Sequence, residues 1–274
     1  MPNAYVDLAR VKDARTGLNI TGSASDALLL QMAEAASRSV DDYTRRHFYV
    51  RVATRYYDGT GRPYLLLPPG DDLLEVTSLK LDENGDRAYE LTLTATDYYL
   101  WPDNGLPKLR VDLDQVNGQR FRFAAQRRLV ELVGKWGYAD DRQTIGALVS
   151  GAHNATTTTL TTTSAVGMAI GLTLLIGSEQ LYVTGGGGTS WTVERGVNGT
   201  TAATIADQAA IQRYRYPTPI VQATYMQLAR WWKRKDDGFA QVLLSPDLGR
   251  MSVFRGLDPD VQLLLAPYVM PLVG

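Results

Sequence analysis

Residues 28–49 read LLLQMAEAASRSVDDYTRRHFY. Leu29, Met32, Ala36, Val40 and Tyr43 recur there at steps of three and four, which places them on one face of an amphipathic helix. Ser25 offers an N-cap oxygen and Asp26 a first-turn carboxylate, while Arg45, Arg46 and His47 put positive charge where the helix dipole favours it. From Phe48 the period changes to two. Val50, Val52, Thr54 and Tyr56 alternate with Arg51 and Arg55, the pattern of a half-buried strand. A long helix therefore ends, and a β region begins, inside one short stretch.

Working outward, a shorter helix is expected over about Leu8–Arg15. Downstream, Asn84-Gly85, Asn104-Gly105 and Asn117-Gly118 are turn signals, because such pairs tolerate the positive φ of tight hairpins. Ser78–Leu81, Tyr89–Thr94, Phe121–Phe123 and Arg128–Tyr138 read as strands around them. The composition then shifts. Residues 151–213 hold fourteen threonines and only five charged residues, within a chain that is 21% charged, which marks a separate unit. Leu172, Leu174 and Ile176, then Leu181 and Val183, then Trp191 and Val193 alternate as in a small all-β module expected to fold on its own. Helix returns at Thr218-Pro219, with Val221, Thr224, Tyr225, Leu228 and Trp232 on one face. A last helix starts at Asp258-Pro259, with Val261, Leu264, Leu265 and Tyr268 on one side. The reading is an α+β chain with an insertion.

The chain has 274 residues, a formal net charge of −1 and no cysteine. Disulfides and thiolate metal sites are excluded, and a near-neutral balance argues against a dedicated duplex binder, which relies on a basic excess. No apolar run reaches the roughly 18 residues of a membrane span, and the first residues lack the apolar stretch of a signal peptide. We therefore expect a protein made in a cytoplasm, without membrane contact.

Reactive constellations are sparse. His47 and His153 have no second ligand at helical spacing, so no metal is expected. Gly185–Gly188 lack the Lys-Ser/Thr pair and following helix of a phosphate loop, and read as a hairpin tip. The acid pairs Asp41-Asp42, Asp71-Asp72, Asp140-Asp141 and Asp236-Asp237 read as solvated turn and helix-surface residues. No catalytic residue, cofactor site or metal site is assigned, and no enzymatic activity is expected.

The segment 28–49, the hairpin sequence TDYYLWPDNGLP at 96–107, VELVGKWGYAD at 130–140, PIVQATYMQLARWWKRK at 219–235 and GLDPDVQLLLAPYVMP at 256–271, taken in order, resemble the head-tail connector proteins of tailed phages, adaptor (gp6-like) type. The resemblance implies a helical adaptor core with short β-hairpins, formed discontinuously by residues 1–142 and 214–274. Into it an all-β small barrel or sandwich, residues 143–213, would be inserted. It further implies a structural virion protein of the neck, assembled in the host cytoplasm as a twelvefold ring beneath the portal. Its partners would be the portal protein, the next neck or tail protein, other copies of itself, and genomic DNA passing through without sequence-specific binding.

Two surfaces follow as expectations. Leu264, Leu265, Tyr268, Val269, Met270, Leu272 and Val273 form an apolar tail suited to docking on the portal. Arg45, Arg46, Arg51, Arg230, Trp231, Lys233 and Arg234 are candidates for a subunit interface, although the same charges also suit helix ends. A neck stopper or tail-completion protein is the nearest alternative. A carbohydrate- or host-surface-binding accessory protein is the alternative from another class.

Overall fold

The computed structural model describes residues 3–235, 242–245, 249–252 and 256–270. Among these, the chain divides into two compact units. One joins the residues up to Thr44 with Asp141–Val269, and the other joins Arg45–Asp140 with Met270.

The second unit is built from strands. A four-stranded antiparallel sheet runs in the order β1 (Arg51–Gly59), β7 (Gln126–Trp136), β3 (Leu73–Leu81), β4 (Leu91–Leu93). A three-stranded sheet runs β2 (Tyr64–Leu66), β6 (Arg110–Leu113), β5 (Tyr98–Trp101). Both contribute to one core that includes Leu73, Leu79, Val111, Phe123, Leu132 and Trp136. Trp136 is fully buried, and its indole N–H donates to the Ala53 carbonyl at 2.9 Å. Gly134 is required where β7 passes β3, because a Cβ there would lie 2.3 Å from the Glu75 carbonyl oxygen.

The first unit has a barrel and a helical layer. β8 (Arg142–Leu148), β13 (Ala210–Tyr214), β10 (Thr173–Ile176), β11 (Glu179–Gly187), β12 (Ser190–Glu194) and β9 (Thr159–Thr161) are hydrogen-bonded in that order. The end of β8 returns to β9: Ser150 N–H donates to Thr161 O and Thr163 N–H to Leu148 O, both at 2.9 Å, which closes the sheet. Closure removes the exposed edges that an open six-stranded sheet would leave. Leu174, Ile176, Leu181, Val183, Trp191 and Val193 fill the interior, as their alternation predicts. A bidentate ion pair between Glu179 and Arg195, 2.7 Å on each arm, sits beneath the β12 end. Burial alone would raise the Glu179 pKa, but Arg195 and the N–H groups of Ala203 and Gly196 hold it below the ordinary glutamate value.

The helical layer comprises α1 (Leu8–Lys12), α2 (Asp26–Thr44), α3 (Thr218–Arg234) and α4 (Pro259–Leu265). The α2 face is the expected one: Leu29, Met32, Ala36 and Val40 are buried, with Ala33 beside them. Small side chains let α3 approach, and Leu228 closes the shared core. A hairpin of β14 (Val242–Ser245) and β15 (Gly249–Ser252) follows α3.

The N-terminal segment fastens these helices to the barrel. The Asn3 Nδ2 donates to Asn198 Oδ1 at 2.6 Å, while Asn3 Oδ1 accepts from Thr173 Oγ1 at 2.8 Å and from Asn198 Nδ2 at 3.0 Å. Asn198 Nδ2 also reaches Gln180 Oε1 at 2.8 Å, and all four side chains are buried. Next along the chain, Tyr5 N–H donates to Ser37 Oγ of α2 and Leu8 N–H to Ile170 O of the barrel, each at 2.9 Å. Ile170 packs against both the barrel core and the helical core.

These observations correct the expected fold class. The described chain is predominantly antiparallel β, with fifteen strands against four α-helices, and it is not a helical adaptor core carrying an inserted β module. The helices share a unit with residues 143–213, while residues 45–140 form the other unit. The face of β1 is also reversed from the expectation. Ala53, Arg55 and Tyr57 turn inward while Thr54 and Tyr56 are exposed, because the Arg55 guanidinium stacks over the Trp136 ring at 4.1 Å.

Replacing Asn3 with Ala strands buried polar atoms of Asn198 and Thr173, so urea unfolding should report a loss of about 1–3 kcal/mol. Replacing residues 146–213 with a short linker should abolish the α2 and α3 helical signal in circular dichroism. A helical spectrum that survives the deletion would contradict the joint described here.

Candidate interaction surfaces

The three-stranded sheet of the second unit turns one face to its core and the other to solvent. Leu65, Val111, Leu113, Tyr98 and Leu100 face inward. On the outer face the register aligns Tyr64, Asp112 and Tyr99 in one row, and Leu66, Arg110 and Trp101 in the next. Tyr99 is 58% exposed, Leu66 52% and Trp101 47%. The Arg110 guanidinium lies 5.2 Å from the Trp101 ring centre and 5.7 Å from that of Tyr64. It also donates through Nε and an Nη to Asp112 Oδ2 at 3.0 and 2.8 Å. Strand alternation therefore holds a rigid row of aromatic, aliphatic and guanidinium groups outward, with Arg110 fixed between two rings. Leu106 and Phe121, both 57% exposed, are carried by the loops of the same unit.

Elsewhere, Asp82, Asp86 and Glu90 bring ligand oxygens within 4.8 Å of one another, the one grouping of metal-ligand type among the described residues. The oxygens of Asp82 already accept from the N–H groups of Gly85 and Arg87, at 2.7 and 2.8 Å. Asn84 Nδ2 donates to Glu90 and Asp86 at 2.7 and 3.2 Å. The grouping thus organises a hairpin turn. His153 pairs through its backbone with Ile205, and its Nε2 accepts from Thr161 N–H at 3.4 Å; the His47 ring lies 5.0 Å from that of Tyr49. Gly185–Gly188 form the exposed end of the β11–β12 hairpin.

The basic residues singled out in the sequence are dispersed in role. Arg45 is exposed, adopts a left-handed conformation (φ 56°) and donates to Met270 O at 3.3 Å. Arg46 stacks over the Tyr138 ring at 5.4 Å and approaches the buried Asp72 to 3.7 Å. Arg51 opens β1 opposite Trp136. Arg230 donates to Asp258 Oδ2 at 3.0 Å, tying α3 to the N-cap of α4. Trp231 packs on the helical core, Arg234 is half-buried and Lys233 is exposed. In the C-terminal stretch Leu265 and Met270 are buried, while Leu264, Tyr268 and Val269 are half-buried. Leu272, Val273 and the pair Asp236-Asp237 lie outside the described residues.

The outer face of β2, β5 and β6 escaped the sequence reading. Its signal was present in YYLW at 98–101, where alternate residues are all large, so that no polar face betrays which side meets solvent.

No family model matches the sequence, and no curated protein matches it. Among solved structures, a chain from the neck of an empty GTA particle computed with C6 symmetry is similar at 15% identity, over 98% of this chain and 92% of that one, with a TM-score of 0.39. At that score the likeness bears on neither fold nor function.

Asp72 offers a direct test of the inward role of Arg46. The side chain is fully buried, and its oxygens accept no hydrogen bond. Burial raises its pKa to about 6, with Arg46 acting in the opposite direction. A raised folded-state pKa means that the stabilising contribution is complete below the unfolded value near 3.8 and is lost as pH rises through about 6. The Asp72→Asn variant should therefore gain stability relative to the parent as pH rises from 4 to 7, measured as the difference between the two melting curves. A variant that melts below its parent at pH 8 would show that the ion pair outweighs burial.

Proposed function

We propose that this chain is a structural, non-enzymatic subunit of the neck of a tailed-phage particle, of the head-to-tail adaptor type. In this reading it joins a ring beneath the portal, gives the tail its platform and surrounds the channel through which the genome passes. The observation that carries the reading is the outward face of β2, β5 and β6. Indole, phenol and a fixed guanidinium supply contact area at low ordering cost, and Trp, Tyr and Arg are the groups that dominate protein–protein binding energy. Rings close through heterologous contacts, in which one surface of each subunit meets a different surface of the next. A rigid face on one unit suits that arrangement. The ordered pieces of adaptor-like sequence support the same reading, and the near-neutral charge suits a channel that does not hold its DNA.

Docking on the portal is assigned to the end of the chain. Of Leu264, Leu265, Tyr268, Val269, Met270, Leu272 and Val273, the set proposed for that contact, Leu265 and Met270 are buried, so they would have to be exposed before they could dock.

Exposed positions tolerate substitution within about 0.5 kcal/mol. The double variant Tyr99→Ser, Trp101→Ala should therefore melt as the parent does, yet fail to restore tailed particles when supplied to a phage lacking its own copy. Normal numbers of tailed particles from this variant would overturn the assignment of the face.

A further inference from the structure

In the first unit, a half-open cleft of about 250 Å³ lies where the N-terminal segment, the barrel and the start of α3 meet. Tyr5, Asp7, Arg10, Arg213, Arg215 and Tyr216 are among its lining residues. We propose that this cleft is a binding site for the carboxylate groups of an acidic segment on a partner protein. The inference does not depend on where in a particle the chain sits.

The partners of the three guanidiniums carry the inference. Arg10 donates through one Nη to Gln222 Oε1 at 2.8 Å, and Arg213 donates through Nε and Nη to Gln143 Oε1 at 3.1 and 2.8 Å. An amide oxygen orients a guanidinium without neutralising it. The Arg10 Nε is buried and has no acceptor among the described residues. Only Arg215 is paired to an acid, through Asp141 at 2.9 Å. Asp7 is engaged as the N-cap of α1, accepting from Arg10 N–H at 2.9 Å. Two oriented, uncompensated guanidiniums therefore face one recess.

Planar forks of this kind match the two oxygens of a carboxylate. A recess of this size admits a side chain rather than a duplex. Strong nucleic-acid binding instead draws on many phosphate contacts along a basic track. An acidic protein segment is the ligand that fits.

The test uses the full-length chain and a fluorescent hexaglutamate peptide at low ionic strength, followed by anisotropy, with a short DNA duplex as the competing probe. The peptide should bind. The double variant Arg10→Gln, Arg213→Gln should weaken binding by at least about tenfold, since two charge-assisted hydrogen bonds are lost, while Arg87→Gln in the other unit should leave it unchanged. Where the double variant fails to melt as the parent does, Arg213→Gln alone carries the comparison. Absence of peptide binding, equal loss in the Arg87→Gln control, or tighter binding of the duplex than of the peptide would each overturn the proposal.

Discussion

The fold of the first unit depends on the buried amide junction around Asn3. In a low-dielectric interior a polar network is stabilising only when each member is satisfied, because every orphaned donor or acceptor carries its full desolvation cost. Asn3, Thr173, Gln180 and Asn198 are joined by four hydrogen bonds, with Asn198 held in the left-handed region (φ 58°) that asparagine tolerates. The junction fixes the path of the segment that follows. Tyr5 then meets Ser37, Asp7 caps α1 and Leu8 reaches the barrel at Ile170. The arginine cleft is a consequence of that path, since its walls come from the segment, the barrel and the lead-in to α3.

The second unit follows a different logic. Two small sheets share one core around Trp136, and the sheet that includes β5 and β6 is too small to bury both of its faces. One face is given to the core, and the other is left with aromatic groups steadied by Arg110. Charge inside this unit is arranged around Trp136 and its neighbours: Arg55 lies over the indole and pairs with Asp71, while Tyr57 donates to the same carboxylate at 2.6 Å. Arg55 is thus a core residue despite its charge, because its stem and planar head can be covered by a ring and satisfied by one acid.

Much of this was legible in the sequence, for local reasons. The spacing of Leu29, Met32, Ala36 and Val40 identified the α2 face, and Asp258-Pro259 marked the start of α4. The alternation from Leu172 to Val193 gave barrel strands with the correct faces. Other features were hidden because they depend on distant partners. The contact between Asn3 and Asn198 spans 195 positions, so nothing in either neighbourhood shows that the Thr-rich strands belong with the N-terminal helices. The inward face of β1 was inverted because a strand bearing arginines on one side reads as solvent-facing there. Strands β2, β5, β6, β8, β9 and β13 carried too little periodicity to be separated from their loops. The arginines at the end of α2 also read alike in sequence, although Arg46 turns inward on Asp72 while Arg45 remains exposed. The cleft carried a signal in the alternation of Arg213, Tyr214, Arg215 and Tyr216, but without Arg10 beside it that pattern is only a strand edge.

The central claim is that the barrel and the helical layer form one cooperative body, held at the Asn3 junction, and that the cleft exists only while that body is intact. Native-state hydrogen exchange resolved by residue tests it directly, because the free energy of opening is read separately for each element. The backbone amides of Ala33 and Ala36 in α2 and of Leu181 and Val183 in β11 should open with the same free energy and the same dependence on urea. Exchange of the α2 amides through an opening that leaves the β11 amides fully protected would contradict the account.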